Sequence, residues 1–277
     1  MSGVDAVEDL FILVLASLVP ALVYLSWVRR TERFQSSSWG PILGAFIYGA
    51  LFATIVAAIL EGIIVALGTS VSQTYPGPEF LFLNGNSNLG TFFLVLVVAP
   101  FVEEGLKGSG VYYYRNQIRT VADGPVFGAS VGLGFGFFET LLYGVAAFAV
   151  GGLAAGIALI LVRSISSVLL HGSSTGMFGY GFARSRFRVP GAGTGGYYLV
   201  AVGMHASFNA LASLGTIVLL FGVSGLAGSL ASVFALLAAI TFAFTAIEHV
   251  RTVIATSDYP ALHPGVTHPR PGMVRRR

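Results

Sequence analysis

The sequence predicts an all-α fold, a polytopic bundle of about seven helices that cross a lipid bilayer. Apolar side chains make up 55% of the chain and charged ones only 10%, whereas charged residues are about 25% of ordinary soluble domains. Seven segments reach the roughly 20 apolar residues that a bilayer-spanning helix needs, and the alternating strands of a membrane β-barrel are absent. These segments are 9–28, 41–67, 89–114, 124–150, 153–183, 196–221 and 225–250.

The positions of the basic residues predict the orientation of the bundle. Of the 15 basic residues, 13 follow the first, third, fifth and seventh segments, and the connections on the other side contain none. Because cytoplasmic loops carry the excess of Lys and Arg, we expect the N-terminus outside and the C-terminus inside. The chain then reads as a multi-pass protein of the cell membrane, in contact with the lipid bilayer and not with nucleic acid. We expect one transmembrane domain over 1–256 and a disordered basic cytoplasmic tail over 257–277.

The third predicted span contains two adjacent carboxylates and a lysine. Glu103 and Lys107 are four residues apart and Glu104 is three residues from the same lysine, so all three side chains lie on one side of the helix. Ionisable groups inside a bilayer are expensive and indicate function. The pair can supply a general base, and Pro100, which lacks an N–H, removes a helix hydrogen bond just before it.

The next three spans add one carboxylate and two imidazoles at a similar depth. Glu139 lies in the fourth span, His171 in the fifth and His205 in the sixth, and Asn209 is on the same face as His205 one turn later. At 1.5 Å per residue, these acids and imidazoles lie about 14–23 Å from the cytoplasmic edge of a core about 30 Å thick. We therefore predict that they form a single site. Arg163 has two open interpretations, a pair with a glutamate or a side chain that reaches outward.

Several kinds of hydrolytic site are excluded by the residue types. The chain has no cysteine, the predicted spans contain no aspartate except Asp9 at the first residue of the first span, and no His-Glu-x-x-His sequence occurs, which removes thiol, aspartyl and common zincin chemistry. Residues 128–132 match a nucleophile-elbow pattern around Ser130, but that pattern needs a strand before a helix. Gly128 and Gly132 also form a G-x-x-x-G motif, and we expect them to pack two helices together.

Water activated by glutamate remains, with or without a metal. His171, His205 and Glu139 can provide a His₂Glu zinc site with an open position for water, with Glu103 or Glu104 as the base. In the metal-free alternative, Glu103 or Glu104 activates water directly, and histidine together with Asn209 stabilises the oxyanion. Two non-proteolytic alternatives stay open, a membrane scaffold with a polar core and a proton-coupled carrier.

Four motifs in chain order resemble the PrsW family of intramembrane proteases. They are Glu103-Glu104-x-x-Lys107, the Gly-Phe-Gly-Phe-Phe run that ends in Glu139, His171 with Gly179-Tyr180-Gly181 downstream, and His205-x-x-x-Asn209. One departure is Thr140, which follows Glu139 where the family usually has asparagine.

The resemblance implies a fold related to the type II CAAX prenyl proteases and a metalloprotease activity on membrane-anchored proteins. It also implies that Glu103, Glu104, His171 and His205 are required for activity. Residues 1–256 would then be the protease domain.

Overall fold

A computed structural model describes residues 3–32, 37–75, 77, 83–85 and 87–257. Within these ranges every regular secondary-structure element is a helix. Two π-helical segments, Tyr48–Ala53 and Leu94–Val98, join α2 to α3 and α4 to α5 without a break. The predicted tail lies outside the described residues except for Ser257. The α-helices are α1 (Gly3–Arg29), α2 (Trp39–Ile47), α3 (Thr54–Thr74), α4 (Asn88–Phe93), α5 (Ala99–Tyr113), α6 (Asp123–Ser164), α7 (Ser167–Arg186), α8 (Thr194–Leu220) and α9 (Gly225–Ser257).

The described helices make a polytopic membrane bundle, as the sequence predicts. Six helical stretches within the described ranges are long and apolar enough to cross a bilayer. Large apolar side chains cover their outer faces: Phe11, Ile63 and Phe234, for example, are at least half exposed. Such a surface is suited to lipid and not to water. The number of seven spans and the orientation of the termini stay predictions.

A sharp reversal at Gly152 makes α6 a helical hairpin. Gly152 has φ +75° and ψ −174°, a backbone conformation that is costly for other residues. The two arms run back along each other, since Gly144 packs against Ile160 and Gly156 against Phe148. The second arm ends at Ser164, and α7 begins at Ser167. The single helix predicted over 153–183 is therefore wrong: a break at residues 165–166 lets α7 turn back onto the first arm of α6.

Glycines of α6 bring α7 very close to it. A Cβ atom added at Gly128 would lie 2.2 Å from the carbonyl oxygen of Thr175, and one added at Gly132 would lie 2.0 Å from that of His171. Only glycine permits these approaches, so the predicted packing role of this pair is confirmed. Ser130, between them, is buried and donates a hydrogen bond to the Ile42 carbonyl oxygen at 2.6 Å. The glycine contacts fix the position of α7, and with it the height of His171.

Candidate metal-binding and catalytic site

The ionisable residues predicted from four spans meet in one buried cluster between α5, α6, α7 and α8. Glu103, Glu104 and Lys107 come from α5, where they are 5%, 0% and 0% exposed. His171 of α7 and His205 of α8 are 1% and 2% exposed, and their ring centroids are 4.9 Å apart. The cluster therefore lies inside the bundle and not on its lipid-facing surface.

Glu104 is held by four donors. Its Oε1 atom lies 2.7 Å from the Lys107 ammonium and accepts hydrogen bonds from Ser174 Oγ at 2.9 Å and from His205 Nδ1 at 3.0 Å. Its Oε2 atom accepts one from Thr175 Oγ1 at 3.1 Å. A carboxylate offers about four such acceptor positions. Glu104 thus anchors its neighbours and has little remaining capacity to accept a proton from water.

Glu103 is held much more loosely. Its Oε2 atom is 3.4 Å from Lys107 Nζ, and it is 3.8 Å from both His171 Nδ1 and His205 Nε2. These distances to the imidazoles exceed those of direct hydrogen bonds. Of the two adjacent carboxylates, Glu103 is therefore the one that faces both imidazoles with free acceptor positions.

The neighbours of His171 determine which ring nitrogen carries its proton. Lys107 Nζ lies 2.9 Å from Nδ1, and an ammonium group can only donate, so Nδ1 is the acceptor. The proton is then on Nε2, which donates to Glu139 Oε2 at 2.9 Å. Glu139 consequently lies on the far side of the ring from Glu103. By the same reasoning, His205 donates from Nδ1 to Glu104 and directs the lone pair of Nε2 toward Glu103.

Arg163 is the partner of Glu139. Its guanidinium donates to Glu139 Oε2 at 2.5 Å and to Ser167 Oγ at 2.9 Å, and it lies 4.1 Å from the ring centroid of Tyr143. Of the two interpretations left open by the sequence, the pair with a glutamate is therefore confirmed. Arg163, Glu139 and His171 thus form one hydrogen-bonded series. The arginine orients the carboxylate, and the carboxylate orients the ring.

Asn209 is tied to a carbonyl group that a proline leaves free. In the π-helical segment before α5, Ala99 N–H donates to Leu94 O, five residues back. Pro100 has no N–H with which to continue this pattern onto Val95 O. Asn209 Nδ2 donates to Val95 O instead, at 2.8 Å. The amide was predicted to stabilise an oxyanion, and in the structure it holds the start of α5 against α8.

A family profile described as "PrsW family intramembrane metalloprotease" matches residues 37–247, well over half of the chain. The chain belongs to this family.

Curated PrsW proteases are similar to the chain over parts of their length. The protein from Shouchella clausii (strain KSM-K16) is 29% identical over 137 residues, which are 48% of this chain and 55% of that relative. The one from Geobacillus kaustophilus (strain HTA426) is 25% identical over 183 residues, 65% and 69% of the two chains. The one from Clostridioides difficile (strain 630) is 25% identical over 138 residues, 49% and 50%. The matches thus span about half of two of these relatives, and no solved structure matches the chain significantly.

The PrsW family description implies a metal, and the residues fit one. Glu103, His171 and His205 offer ligand atoms that lie within 4.8 Å of one another. Ligands about 2.0–2.1 Å from a tetrahedral zinc ion stand about 3.4 Å apart, close to the 3.8 Å between Glu103 Oε2 and each facing imidazole nitrogen. The other nitrogen of each ring is bound to a carboxylate, the arrangement that orients metal-binding histidines. Glu139, predicted as a ligand, is outside this group. It accepts a hydrogen bond from Nε2 of His171 and so orients the ring.

Three residues near the PrsW motifs were not among the predicted site residues. Ser174 and Thr175 bind Glu104, and Arg163 binds Glu139. The run Ser173-Ser174-Thr175 could have indicated the first two from the sequence, because polar side chains within a span need partners.

Proposed function

We propose that this PrsW-family protein is an intramembrane endopeptidase that hydrolyses a peptide bond in a membrane-anchored protein. The observation that carries the proposal is the meeting of Glu103, His171 and His205 in one buried group. Each imidazole is already oriented by its own carboxylate. A core that served only to pack helices would have no need for a carboxylate oxygen and two imidazole nitrogens that converge on one spot.

Glu103, His171 and His205 would hold the metal, and zinc suits this combination of ligands. A bound metal would polarise the scissile carbonyl group and make water a stronger nucleophile. Lys107 contacts Glu103 and His171 Nδ1; it would give up the contact with Nδ1 while it kept its closer one with Glu104.

The protein's own residues keep the site in order whether or not a metal is present. Glu139 and Arg163 hold His171, and Glu104 holds His205, so both rings turn their unprotonated nitrogen toward Glu103; that of His171 also accepts from Lys107. In the metal-free alternative, Glu103 is the base: it takes a proton from water as the oxygen attacks the carbonyl carbon. That proton then passes to the leaving amine nitrogen as the C–N bond breaks. In this form His205 would stabilise the oxyanion only as a donor, through a change of tautomer.

Cleavage by purified protein tests the proposal. The substrate is a single-span reporter protein with a soluble domain at each end, reconstituted with the protease in liposomes. We expect Glu103→Gln to abolish cleavage and Glu248→Gln, a change of an exposed carboxylate near the end of α9, to leave it unchanged. Cleavage that survives in the folded Glu103→Gln variant would refute the mechanism.

Elemental analysis of the same preparations measures their metal content. The result distinguishes the metal-dependent mechanism from the metal-free alternative. His171→Ala and His205→Ala should lose the metal that the wild type retains, about one ion per chain. His249→Ala is the matched control, because His249 lies exposed on α9. Cleavage that requires Glu103 while no sample contains metal would select the metal-free alternative. Equal metal in all samples would remove the two histidines as ligands.

A further inference from the structure

A groove opens between two helical segments that flank the site. On one side are α4 and the π-helical segment Leu94–Val98 that follows it, and on the other is the C-terminal half of α8. The cavity volume is about 250 Å³. None of the four ionisable residues of the candidate site (Glu103, Glu104, His171, His205) lines it. The residues that line the groove are Asn88, Thr91, Phe92, Val95, Ser213, Thr216 and Leu220.

Three polar side chains of the groove are not engaged by the described part of the protein. Asn88, Ser213 and Thr216 make no side-chain hydrogen bond to any other described residue. Hydroxyl groups in helices commonly bond to the carbonyl group one turn before them, as Ser232 and Thr241 do elsewhere in this bundle. Ser213 and Thr216 lie within the predicted span 196–221, where unpaired polar groups are costly. These three side chains are therefore available to a ligand that has polar groups of its own.

The groove and the candidate site lie on the same face of α8. His205, Asn209, Ser213 and Thr216 are separated by four, four and three residues, so they share a face of the helix. Val95 joins the two regions, because it lines the groove and its carbonyl oxygen accepts the Asn209 hydrogen bond. From His205 to Thr216 the face is about 16 Å long, which matches about five residues of an extended chain.

We infer that this groove, named here the α4–α8 groove, binds an extended segment of the substrate polypeptide next to the scissile bond. The inference rests on the proposed function. An intact substrate helix pairs its own backbone groups internally, and a lipid acyl chain has none to pair. An extended polypeptide exposes N–H and C=O groups every residue, and the Asn88, Ser213 and Thr216 side chains can pair with them. Phe92 and Leu220 provide apolar contacts for its side chains.

Cysteine crosslinking tests this placement directly, because the chain contains no cysteine of its own. Single variants Ser213→Cys and Thr216→Cys are made in the Glu103→Gln background, so that the reporter stays intact. Leu214→Cys and Leu219→Cys are matched controls on the same helix; both leucines are at least 40% exposed and outside the groove lining. Disulfide formation requires Cβ atoms about 3.5–4.5 Å apart. We expect a single-cysteine reporter to crosslink at the two groove positions and not at the two controls.

Kinetics of catalytically intact protein provide a second measurement. Thr216→Trp fills the groove, and Leu214→Trp adds the same bulk outside it. We expect Thr216→Trp to raise KM for the reporter about tenfold with kcat little changed, since the groove binds substrate without taking part in bond cleavage. Leu214→Trp should leave both constants near their wild-type values.

The outcomes separate the groove from the protease activity. Crosslinking at the two groove positions, together with a wild-type protein that does not cleave the reporter, would support the groove and refute the proposed function. Cleavage by the wild type, together with equal crosslinking at all four positions, would refute the groove and leave the protease proposal standing. Labelling of the groove by a photoactivatable phospholipid that the reporter fails to displace would also overturn the assignment.

Discussion

Lys107 is the only lysine in the chain, and its replacement by methionine should destabilise the protein strongly. The side chain is fully buried and its ammonium lies 2.7 Å from Glu104, 3.4 Å from Glu103 and 4.4 Å from the Phe135 ring centroid. Lys107→Met keeps a similar volume and removes the charge. Two buried carboxylates then lose their shared cation.

The expected loss in the free energy of unfolding is about 3–5 kcal/mol, the usual result of removing one partner of a buried ion pair. Glu104 still has its three neutral donors, so most of the penalty arises from the lost charge and not from lost hydrogen bonds. A double variant with Glu104→Gln should recover about 2 kcal/mol relative to the sum of the single changes, because it removes one of the stranded carboxylates.

Chemical or thermal unfolding of the detergent-solubilised protein measures these values. Glu248→Gln is the comparison, since the exposed Glu248 pairs with Arg251 at the surface, where an ion pair contributes at most about 1 kcal/mol. A Lys107→Met protein within about 0.5 kcal/mol of the wild type, or strict additivity with Glu104→Gln, would show that the ammonium does not balance the buried carboxylates.

Four further predictions follow from the fold and the site. Gly132→Ala should destabilise the bundle by about 2 kcal/mol or more and lower cleavage, because its Cβ would overlap the His171 carbonyl oxygen. Gly203→Ala, where the added Cβ meets nothing, should be neutral or stabilising by up to about 1 kcal/mol in an unfolding assay. Arg163→Gln should lower kcat more than it raises KM, with partial recovery in Arg163→Lys, because the residue acts on catalysis through His171 and Glu139. Burial raises the pKa of Glu32, beyond the end of α1, from its ordinary value of 4.5 to about 9. The folded state therefore holds this proton more tightly, so stability is fully present below pH 4.5 and is lost as pH rises toward about 9; Glu32→Gln should flatten that slope in melts between pH 6 and 9.

Depth in the membrane could be predicted from the sequence, but direction around each helix could not. A counting error of two residues at the end of a span moves a side chain by only about 3 Å along the axis, yet it rotates it by about 200°. The common depth of Glu103, Glu139, His171 and His205 was therefore predictable. The pairing of Glu139 with one face of His171 and of Glu104 with His205 depends on rotation, and only the packed structure contains it.

The pairing of Arg163 with Glu139 depends on the position at which the chain reverses. Once the chain reverses at Gly152, Glu139 lies 13 residues before the turn and Arg163 lies 11 residues after it. The two positions then differ in height by only about 3 Å, so the ion pair follows. The predicted segments 124–150 and 153–183 already place this connection at Gly151-Gly152. The sequence does not show how closely the two arms pack, and the ion pair depends on that packing.

The buried charges of the site do not balance without a further positive charge. Glu104 has Lys107 at 2.7 Å, and Glu139 has Arg163 at 2.5 Å. Glu103 shares Lys107 only at 3.4 Å, and both imidazoles are neutral in the tautomers that their partners require. An uncompensated carboxylate in a low dielectric is unfavourable, so Glu103 needs either a proton or a cation. The same carboxylate faces the unprotonated nitrogens of both imidazoles: Nδ1 of His171, which also accepts from Lys107, and Nε2 of His205. Charge and geometry thus both indicate that the compensating positive charge is needed at one atom, Glu103 Oε2. A metal ion or a proton taken from water can supply it.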